Sequence, residues 1–556
     1  MKIGLYLAYA PFPKDYSLKK EGLGRYLAVM TKGFVENGHK VVLACPKWSK
    51  DILTELFDEY NIDFNSLEVV TTQSVPLFLK LYYMSSLSGM KKVSTIKKQI
   101  DKASFFVFES IYNLLLSIKK VSLFIILFLI SILFGIIILP IALLLGILLV
   151  LLKLILFVPK KILKIKKLDN IKIKSILLKI YNSLFMDSSK KKIKELLTKS
   201  KILEKMRIRE ADEIIKKIQM MKKPADVWYC PNSFWTEFNN IKNVTVTCVP
   251  DIVTEIFPVS FSSVSNVSDV TNNIIKTINN GKYFITYCNF VKKSVLENKL
   301  GIDSSRVRAI LMFVNETLPD INVQRTYKNF HNANTFYARQ ILQYIPCQNS
   351  INPYYFVGER WFSMADIKYI FYSSQIRFSK NILNLISAYE YLLRREMITC
   401  KLFLTGNYDQ SIEIKQYIIN KGLENDVLCF YNVPNQQLAA LYACAELVVN
   451  PTLYEGGFPF TFSEGMSVGT PSIMSKIPQV TEFTDGWDID DCIFDPYNYL
   501  DIADKILYGL NNRDLLVKKQ MPLYKMHSER TKNGQAIREY IEAFEYFIEL
   551  DKKESE

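Results

Sequence analysis

The sequence has few of the residues that build metal centres and disulfide frameworks. Its 556 residues include only three histidines, and its nine cysteines contain no Cys-x-x-Cys pair. An odd, unpatterned set of cysteines is typical of free thiols in a reducing compartment, and it argues against a disulfide scaffold or a zinc cluster. The 20 glycines and 20 prolines are too few for a low-complexity or collagen-like chain. We therefore expect a globular protein without a metal site.

Charge is absent from one long stretch. Residues 121–152 hold no charged side chain, and the apolar run reaches residue 158 if Lys153 is allowed. A transmembrane helix needs about 20 apolar residues, so the run is too long for one straight pass. Pro140 divides it in two, and lysines flank both ends, which places both ends on the cytoplasmic face. We predict a hairpin over 121–158 that spans or dips into a membrane; a buried pair of core helices is the alternative.

Positive charge is concentrated after this run. Residues 153–223 hold 22 Lys/Arg and seven Asp/Glu, an excess equal to the whole-chain net charge of +15. Apolar residues at helical spacing alternate with lysines, which predicts basic helices at a membrane surface over 159–223. A solvated lysine-rich helix or a nucleic-acid-binding segment would show the same charge pattern. The adjacent uncharged run favours the membrane, so no nucleic-acid partner is expected.

Outside a helical insert at 91–223, predicted strands alternate with predicted helices in two series. Such alternation predicts α/β architecture with parallel sheets, here two doubly wound, Rossmann-like domains. The first covers residues 1–314, interrupted by the insert, and the second covers 367–525. Residues 315–366 are predicted to be a linker and irregular segment, and 526–556 a C-terminal helix that packs back on the first domain. Because strands on both sides of the insert should join one sheet, both ends of the insert must lie on one side of the membrane.

Ligands of doubly wound sheets bind beyond the carboxyl ends of the strands, and an early motif lies there. Residues 20–26 read Lys-Glu-Gly-Leu-Gly-Arg-Tyr, between the first predicted strand and the first predicted helix. Gly22 and Gly24 would allow backbone amides to approach a phosphate at the helix start. A tight strand-to-helix turn explains these glycines equally well.

A second motif carries two basic side chains. Residues 374–381 read Ser-Gln-Ile-Arg-Phe-Ser-Lys-Asn, directly after a predicted strand. Arg377 can grip a diphosphate through two hydrogen bonds, and Lys380 adds a point charge. An exposed basic helix start is the alternative, although the positive end of the helix dipole disfavours it.

The most specific segment is 451–471, which reads Pro-Thr-Leu-Tyr-Glu-Gly-Gly-Phe-Pro-Phe-Thr-Phe-Ser-Glu-Gly-Met-Ser-Val-Gly-Thr-Pro. A predicted buried strand leads to Glu455, a glycine loop follows, and a helix is predicted to open at Glu464. The amides of such a loop can cradle a phosphate. A carboxylate at each end can accept hydrogen bonds from sugar hydroxyls.

These motifs resemble those of the retaining glycosyltransferases of family 4, which have the two-domain GT-B fold. The family's late signature is Glu-Gly-Phe-Gly-Leu-Pro followed by Glu-Ala, with seven residues between the glutamates. Here eight residues separate Glu455 from Glu464. The resemblance covers most of residues 1–50 and 225–525.

The resemblance implies roles for particular residues. Glu455 would be catalytic at the donor sugar, and Glu464 would bind the nucleotide ribose. The family often has His-Asp after a strand of the first domain; this chain has Pro250-Asp251 there, which leaves Asp251 as the second catalytic candidate. The donor-binding residues implied by the resemblance are Gly22, Gly24, Arg377, Lys380, Gly456, Gly457, Phe458 and Glu464.

The resemblance implies a metal-independent hexosyltransferase that needs no cofactor and retains configuration. Its donor would be a nucleotide-diphosphate sugar and its acceptor a glycan. Because the insert lies in the acceptor-side domain, a lipid-linked acceptor at the cytoplasmic face of a membrane is expected, in cell-surface polysaccharide or glycolipid synthesis. A catalytically inactive GT-B-like membrane scaffold is the alternative, suggested by the missing histidine and the altered glutamate spacing.

Overall fold

The computed structural model describes most of the chain outside the insert. The described residues are 1–11, 18, 22–76, 79, 202–261, 267–323, 330–343 and 364–556. The hairpin expected at 121–158 and most of the basic segment at 159–223 lie outside them. No helix within the described ranges is long and apolar enough to cross a membrane.

The N-terminal domain is built on a seven-stranded sheet with the order β3-β2-β1-β4-β5-β6-β7, in which every pair is parallel. The strands are β1 Lys2–Tyr6, β2 Lys40–Cys45, β3 Glu68–Thr71, β4 Val227–Cys230, β5 Thr245–Cys248, β6 Tyr283–Thr286 and β7 Val307–Ala309. The central strands are buried runs of apolar residues, as expected for a sheet covered on both faces. Ile3 pairs with Val227, which confirms that strands from both sides of the insert join one sheet.

The C-terminal domain contains a six-stranded parallel sheet with the order β10-β9-β8-β11-β12-β13. Its strands are β8 Tyr369–Tyr372, β9 Lys401–Thr405, β10 Val427–Phe430, β11 Leu447–Asn450, β12 Ser472–Ser475 and β13 Ile493–Phe494. The prediction of two parallel α/β domains is therefore confirmed. In each sheet the strand order reverses at one point, between β1 and β4 and between β8 and β11, and ligand clefts of doubly wound folds lie at such points.

Helices connect the strands and cover both sheets. The helices of seven or more residues are Gly22–Glu36, Lys50–Glu59, Ile202–Gln219, Val267–Asn280, the π-helix Val291–Glu297, Phe330–Leu342, Ile382–Tyr391, Ile412–Asn420, Asn435–Ala443, Phe460–Ser467, Pro478–Thr484, Tyr499–Asn511, Arg513–Lys532 and Gln535–Ser555. Short helices lie at Val253–Ile256, Pro258–Phe261 and Leu318–Ile321.

The C-terminal helix Gln535–Ser555 lies against the N-terminal sheet. Its apolar residues recur every three to four positions, and Tyr540, Phe544 and Phe547 are buried in the core cluster that contains β1 and β4. The phenol of Tyr26 donates a hydrogen bond to the Tyr540 hydroxyl at 2.9 Å. The chain thus crosses between the domains twice and ends on the domain in which it began.

The structure corrects three expectations about local elements. The segment 315–366, predicted to be irregular, includes helices Leu318–Ile321 and Phe330–Leu342, and the latter buries Ala338 and Leu342 in a cluster with the helix Asn435–Ala443. The predicted boundary at residue 526 falls within a helix, Arg513–Lys532. The helix predicted to open at Glu464 begins one turn earlier, at Phe460, because Pro459 precedes the first turn in extended conformation. The first of these corrections depends on packing between segments that are distant in sequence.

Candidate active site

The cleft between the domains is lined by loops that follow the carboxyl ends of strands in both sheets. From the N-terminal sheet come residues 249–257 after β5 and 287–290 after β6. From the C-terminal sheet come residues 373–381 after β8 and 451–459 after β11. Three of the four segments contain residues singled out in the sequence, so the topology brings the predicted motifs to one place.

Lys380 and Glu455 form an ion pair at the centre of this cleft. The Lys380 Nζ lies 2.6 Å from the Glu455 Oε1, and both side chains are about four-fifths buried, with exposures of 22% and 20%. Lys380 ends a short 3₁₀ turn, and Asn381 then adopts the left-handed conformation with φ of 54°. The Asn381 amide donates to the carbonyl of Pro451 at 3.0 Å, which fixes the two loops to each other. Asparagine suits this position because it tolerates positive φ better than most residues.

The glycine loop after Glu455 packs tightly against the N-terminal domain. A Cβ on Gly456 would lie 2.3 Å from the Pro250 carbonyl oxygen, so only glycine permits this approach. The Cys288 thiol donates to the Gly456 carbonyl at 3.4 Å. Gly457 approaches Tyr287 in the same way. These glycines therefore bring the two domains together beside Glu455, and cradling of a phosphate by their amides stays a prediction.

Asp251 faces the ion pair from the N-terminal domain. Asp251 is an exposed residue, although protein atoms crowd around its carboxyl group. This crowding removes water from the Asp251 carboxyl and raises its pKa, the charge of Glu455 raises it further, and the ammonium group of Lys380 opposes both effects. The backbone amide of Ile252 donates to the Tyr454 hydroxyl at 3.3 Å, which ties the Asp251 loop to the segment that ends in Glu455. The two predicted catalytic residues, Asp251 and Glu455, thus lie on opposite sides of the cleft, one in each domain.

Glu464 lies deeper, on the second turn of its helix, and is 8% exposed. Its carboxylate accepts hydrogen bonds from the Tyr442 hydroxyl at 2.5 Å and from the side-chain amide of Asn315. Burial raises the pKa of the Glu464 carboxyl, and these two hydrogen bonds offset part of that effect. Each carboxylate oxygen can accept a second hydrogen bond. Glu464 also lines an interdomain cavity of about 510 Å³, where such a bond from a ligand would form.

The remaining predicted donor-binding residues occupy different environments. Gly22 is exposed, begins the first helix and lines the same cavity as Glu464. Gly24 is buried, and a Cβ there would lie 2.1 Å from the Leu18 carbonyl oxygen, so packing alone explains this glycine. Arg377 is exposed and donates to the Gln375 side-chain oxygen at 2.6 Å.

Phe458 points toward the protein interior. Its ring stacks on the imidazole of His527 at 5.2 Å and meets Phe462 and Phe483 edge-on. His527 lies on the helix Arg513–Lys532 and is 3% exposed. The ring of Phe458 therefore anchors the glycine loop to this helix.

Several residues of the site were missed from the sequence. Arg25 bridges the cleft, since its Nη2 donates to the Asn435 Oδ1 at 2.9 Å. Tyr442 and Asn315 hold Glu464, and Tyr454 holds the Asp251 loop. Arg25 could have been found from the sequence, because it lies within the early motif. The other three residues contact partners that are distant along the chain, and no local pattern identifies them.

Chemically, the arrangement offers positive charge and carboxylates around one cleft. Lys380 and Arg377 can hold a diphosphate, while Glu455, Glu464 and Asp251 can accept hydrogen bonds from hydroxyl groups. Within the described ranges, no group of three or more His, Cys, Asp or Glu side chains is placed to hold a metal ion.

One comparison with known proteins concerns the C-terminal domain. Residues 361–532 match the family model of glycosyl transferases group 1. This range contains the entire C-terminal sheet together with Lys380, Glu455 and Glu464. The chain therefore contains a domain of this family.

Two curated relatives match over shorter stretches. The O-antigen chain mannosyltransferase B of Escherichia coli is 29% identical over 115 residues, which cover 20% of this chain and 30% of that protein. An uncharacterized glycosyltransferase of Methanocaldococcus jannaschii is 29% identical over 117 residues, which cover 21% of this chain and 29% of that protein. The chain thus matches less than a third of the length of either relative.

A solved structure matches over nearly the whole chain. The Anabaena protein HepE, in complex with UDP and glucose, is 12% identical and covers 98% of this chain and 99% of its own, with a TM-score of 0.52. At this identity the likeness concerns the fold. It supports a GT-B arrangement of two parallel-sheet domains.

Proposed function

We propose that this protein is a retaining glycosyltransferase of family 4 that transfers a sugar from a nucleoside-diphosphate donor to a glycan acceptor. The observation that carries the proposal is the Lys380–Glu455 pair, which lies in the interdomain cleft and within the domain that matches glycosyl transferases group 1. The donor would need both side chains: the basic one to bind the diphosphate and the acidic one to accept hydrogen bonds from the sugar.

In the proposed reaction the bond between the anomeric carbon of the sugar and the diphosphate breaks, and negative charge grows on the leaving diphosphate. The acceptor hydroxyl oxygen bonds to the anomeric carbon on the same face, and its proton passes to the leaving diphosphate. Lys380 and Arg377 would neutralise this charge, which is a form of electrostatic stabilisation that needs no metal ion. The N-terminal end of the helix Gly22–Glu36 opens on the cavity that Glu464 lines, where its dipole would favour a negatively charged part of the donor. Glu464 would hold the ribose from within the cavity that it lines.

Glu455 would contact the donor sugar, and the ion pair with Lys380 would fix its orientation. Asp251 faces the same point from the N-terminal domain and would orient the attacking acceptor hydroxyl.

The proposed acceptor is lipid-linked, and the proposed location is the cytoplasmic face of a membrane. Support comes from the 32 uncharged residues at 121–152 and the lysines on both sides of them. In the sequence these features lie between β3 and β4 of the N-terminal domain, whereas Lys380 and Glu455 lie in the C-terminal domain. Synthesis of a cell-surface polysaccharide or glycolipid would need such an acceptor, and the E. coli relative is named for an O-antigen chain.

The experiment that tests this function uses the full chain, a lipid-linked glycan acceptor and a panel of nucleotide sugars that includes GDP-mannose and UDP-glucose. Calorimetry measures binding, and release of nucleoside diphosphate measures turnover, each with and without EDTA. We expect at least one donor to bind and turn over, and EDTA to leave the rate unchanged. Loss of turnover in EDTA that Mg²⁺ or Mn²⁺ restores would refute the metal-independent reaction. Failure of every donor to bind would favour the inactive scaffold.

A further inference from the structure

A second interdomain groove, of about 960 Å³, lies beyond the proposed reaction centre. The π-helix Val291–Glu297 and the residues just before it form its N-terminal wall, and the segment 476–493 forms its C-terminal wall. Glu482 bridges the two walls, because its carboxylate accepts hydrogen bonds from the backbone amides of Asn289 at 2.8 Å and Phe290 at 3.2 Å. No residue of the three motifs at 20–26, 374–381 and 451–471 lines this groove.

The groove is joined to the reaction centre through three consecutive residues. Tyr287 contacts Gly457, and the thiol of Cys288 donates to the Gly456 carbonyl. The next residue, Asn289, already lines the groove. The groove therefore begins one residue beyond the contacts that this segment makes with the glycine loop after Glu455.

Each domain contributes one aromatic side chain to the lining. Phe290 packs partly on an N-terminal core cluster and Trp487 partly on the C-terminal core, and both leave part of the ring uncovered in the groove. Flat apolar rings with hydrogen-bonding groups around them suit a ligand with an apolar face and polar edges. A pyranose ring has this chemistry, since C–H groups form its faces and hydroxyls its edges.

The charges of the lining distinguish between classes of ligand. The carboxylates of Glu482, Asp485, Asp488 and Asp490 outnumber the ammonium groups of Lys293, Lys476 and Lys519, the last of which lies 3.2 Å from Asp488. An excess of negative charge disfavours nucleotides, diphosphates and other polyanions. It suits an uncharged polyol, whose hydroxyls donate to carboxylates and accept from lysines.

We propose that this groove, with Trp487 and Phe290 as its stacking surfaces, binds the uncharged sugar units of the acceptor glycan that follow the unit receiving the transferred sugar. This inference rests on the proposed function, because it assigns part of the acceptor to a place in the same cleft. The groove then selects for acceptors longer than one sugar.

The test measures the binding of α-mannotetraose, maltotetraose, chitotetraose and their monosaccharides to the full chain by calorimetry. We expect at least one tetrasaccharide to bind at least tenfold more tightly than its monosaccharide. Trp487→Leu should weaken that binding tenfold or more, because it keeps apolar bulk but removes the flat ring. Phe336→Ala, which removes a 64% exposed ring outside the groove, should leave the affinity unchanged.

Trp487 also packs on the core, so a melting curve accompanies each variant. If Trp487→Leu does not fold, Asp485→Asn decides in its place, since Asp485 is exposed and the change only removes its charge.

The inference is overturned if no probe binds to the wild type, or if the deciding variant binds the tetrasaccharide as the wild type does. Nucleoside-diphosphate binding, measured on the same samples, separates the two proposals: if the nucleotide binds and the glycan does not, only this inference fails.

Discussion

Lys380 and Glu455 form one ion pair, yet their alanine variants should fail in different ways. In the proposed reaction Lys380 would hold the diphosphate before and during bond breaking, so Lys380→Ala should weaken nucleotide binding and also slow transfer. Glu455 would contact the sugar, so Glu455→Ala should leave nucleoside-diphosphate affinity nearly intact and lower kcat by about 10²–10³. Calorimetry and product release measure the two quantities.

A matched control is available in the same domain. Lys401 and Asp426 form an ion pair of 2.5 Å with similar burial, at the opposite end of the strands from the cleft. Lys401→Ala should change neither affinity nor turnover. If Glu455→Ala turned over like the wild type, the glutamate of the glycine loop would be misassigned and the scaffold alternative would gain support.

His527 should make the stability of the protein depend on pH. Burial beside Phe458 and Phe483 lowers the pKa of His527 to about 4, and the charge of Arg530 contributes to this. The unfolded chain binds the proton near pH 6.5, so between pH 6.5 and 4 the unfolded state holds more protons and the free energy of unfolding falls as pH falls. The loss should reach about 3 kcal/mol near pH 4.

Urea denaturation at several pH values between 7 and 4.5 measures this loss. His527→Phe keeps an aromatic ring against Phe458 but cannot be protonated, so its free energy of unfolding should fall less over the same range. An unchanged pH dependence in this variant would show that other groups cause the loss.

At the scale of elements, the C-terminal helix Gln535–Ser555 is a structural part of the N-terminal domain. Phe547 stacks on Tyr283 of β6 with ring centroids 4.9 Å apart, and both side chains are buried. Phe547→Ala should lower the free energy of unfolding by about 3–5 kcal/mol, because it removes a large buried ring and leaves a cavity. Glu549→Ala, an exposed position on the same helix, should change it by less than about 0.5 kcal/mol.

Tryptophan fluorescence during urea denaturation reports on this prediction, since Trp228 of β4 lies in the same core cluster. Equal midpoints for the Phe547 variant and the wild type would show that the helix is dispensable for the N-terminal domain.

At the scale of the whole molecule, the insert should be separable from the two sheets. β1 pairs with β4 across the insert, so the sheet is continuous without it. Deleting residues 121–158 should release the protein from membranes and leave the thermal melt of the two domains intact. Fractionation with a carbonate wash and a thermal melt measure the two effects. A full-length protein that the wash already releases would contradict the membrane hairpin.

The sequence by itself determined the two parallel sheets and the position of the main motifs. Apolar strands that alternate with helices are a local pattern, and residues directly after such strands must lie at one edge of a sheet. This is why Lys380 and Glu455 could be placed at one cleft from the sequence pattern, whereas Asp251 was proposed from the family resemblance alone. The strands β3, β12 and β13 were not predicted, because each has only two to four residues and is too short to show a clear apolar pattern.

Only the tertiary structure decided which of these residues touch. Lys380 and Glu455 are 75 residues apart, Arg25 and Asn435 are 410 apart, and no periodicity in the sequence encodes such contacts. The helix Phe330–Leu342 and the stacking of His527 on Phe458 likewise depend on a partner segment that the chain brings close only when it folds. Local patterns specify elements, because backbone geometry is local; sites arise from the packing of those elements against one another.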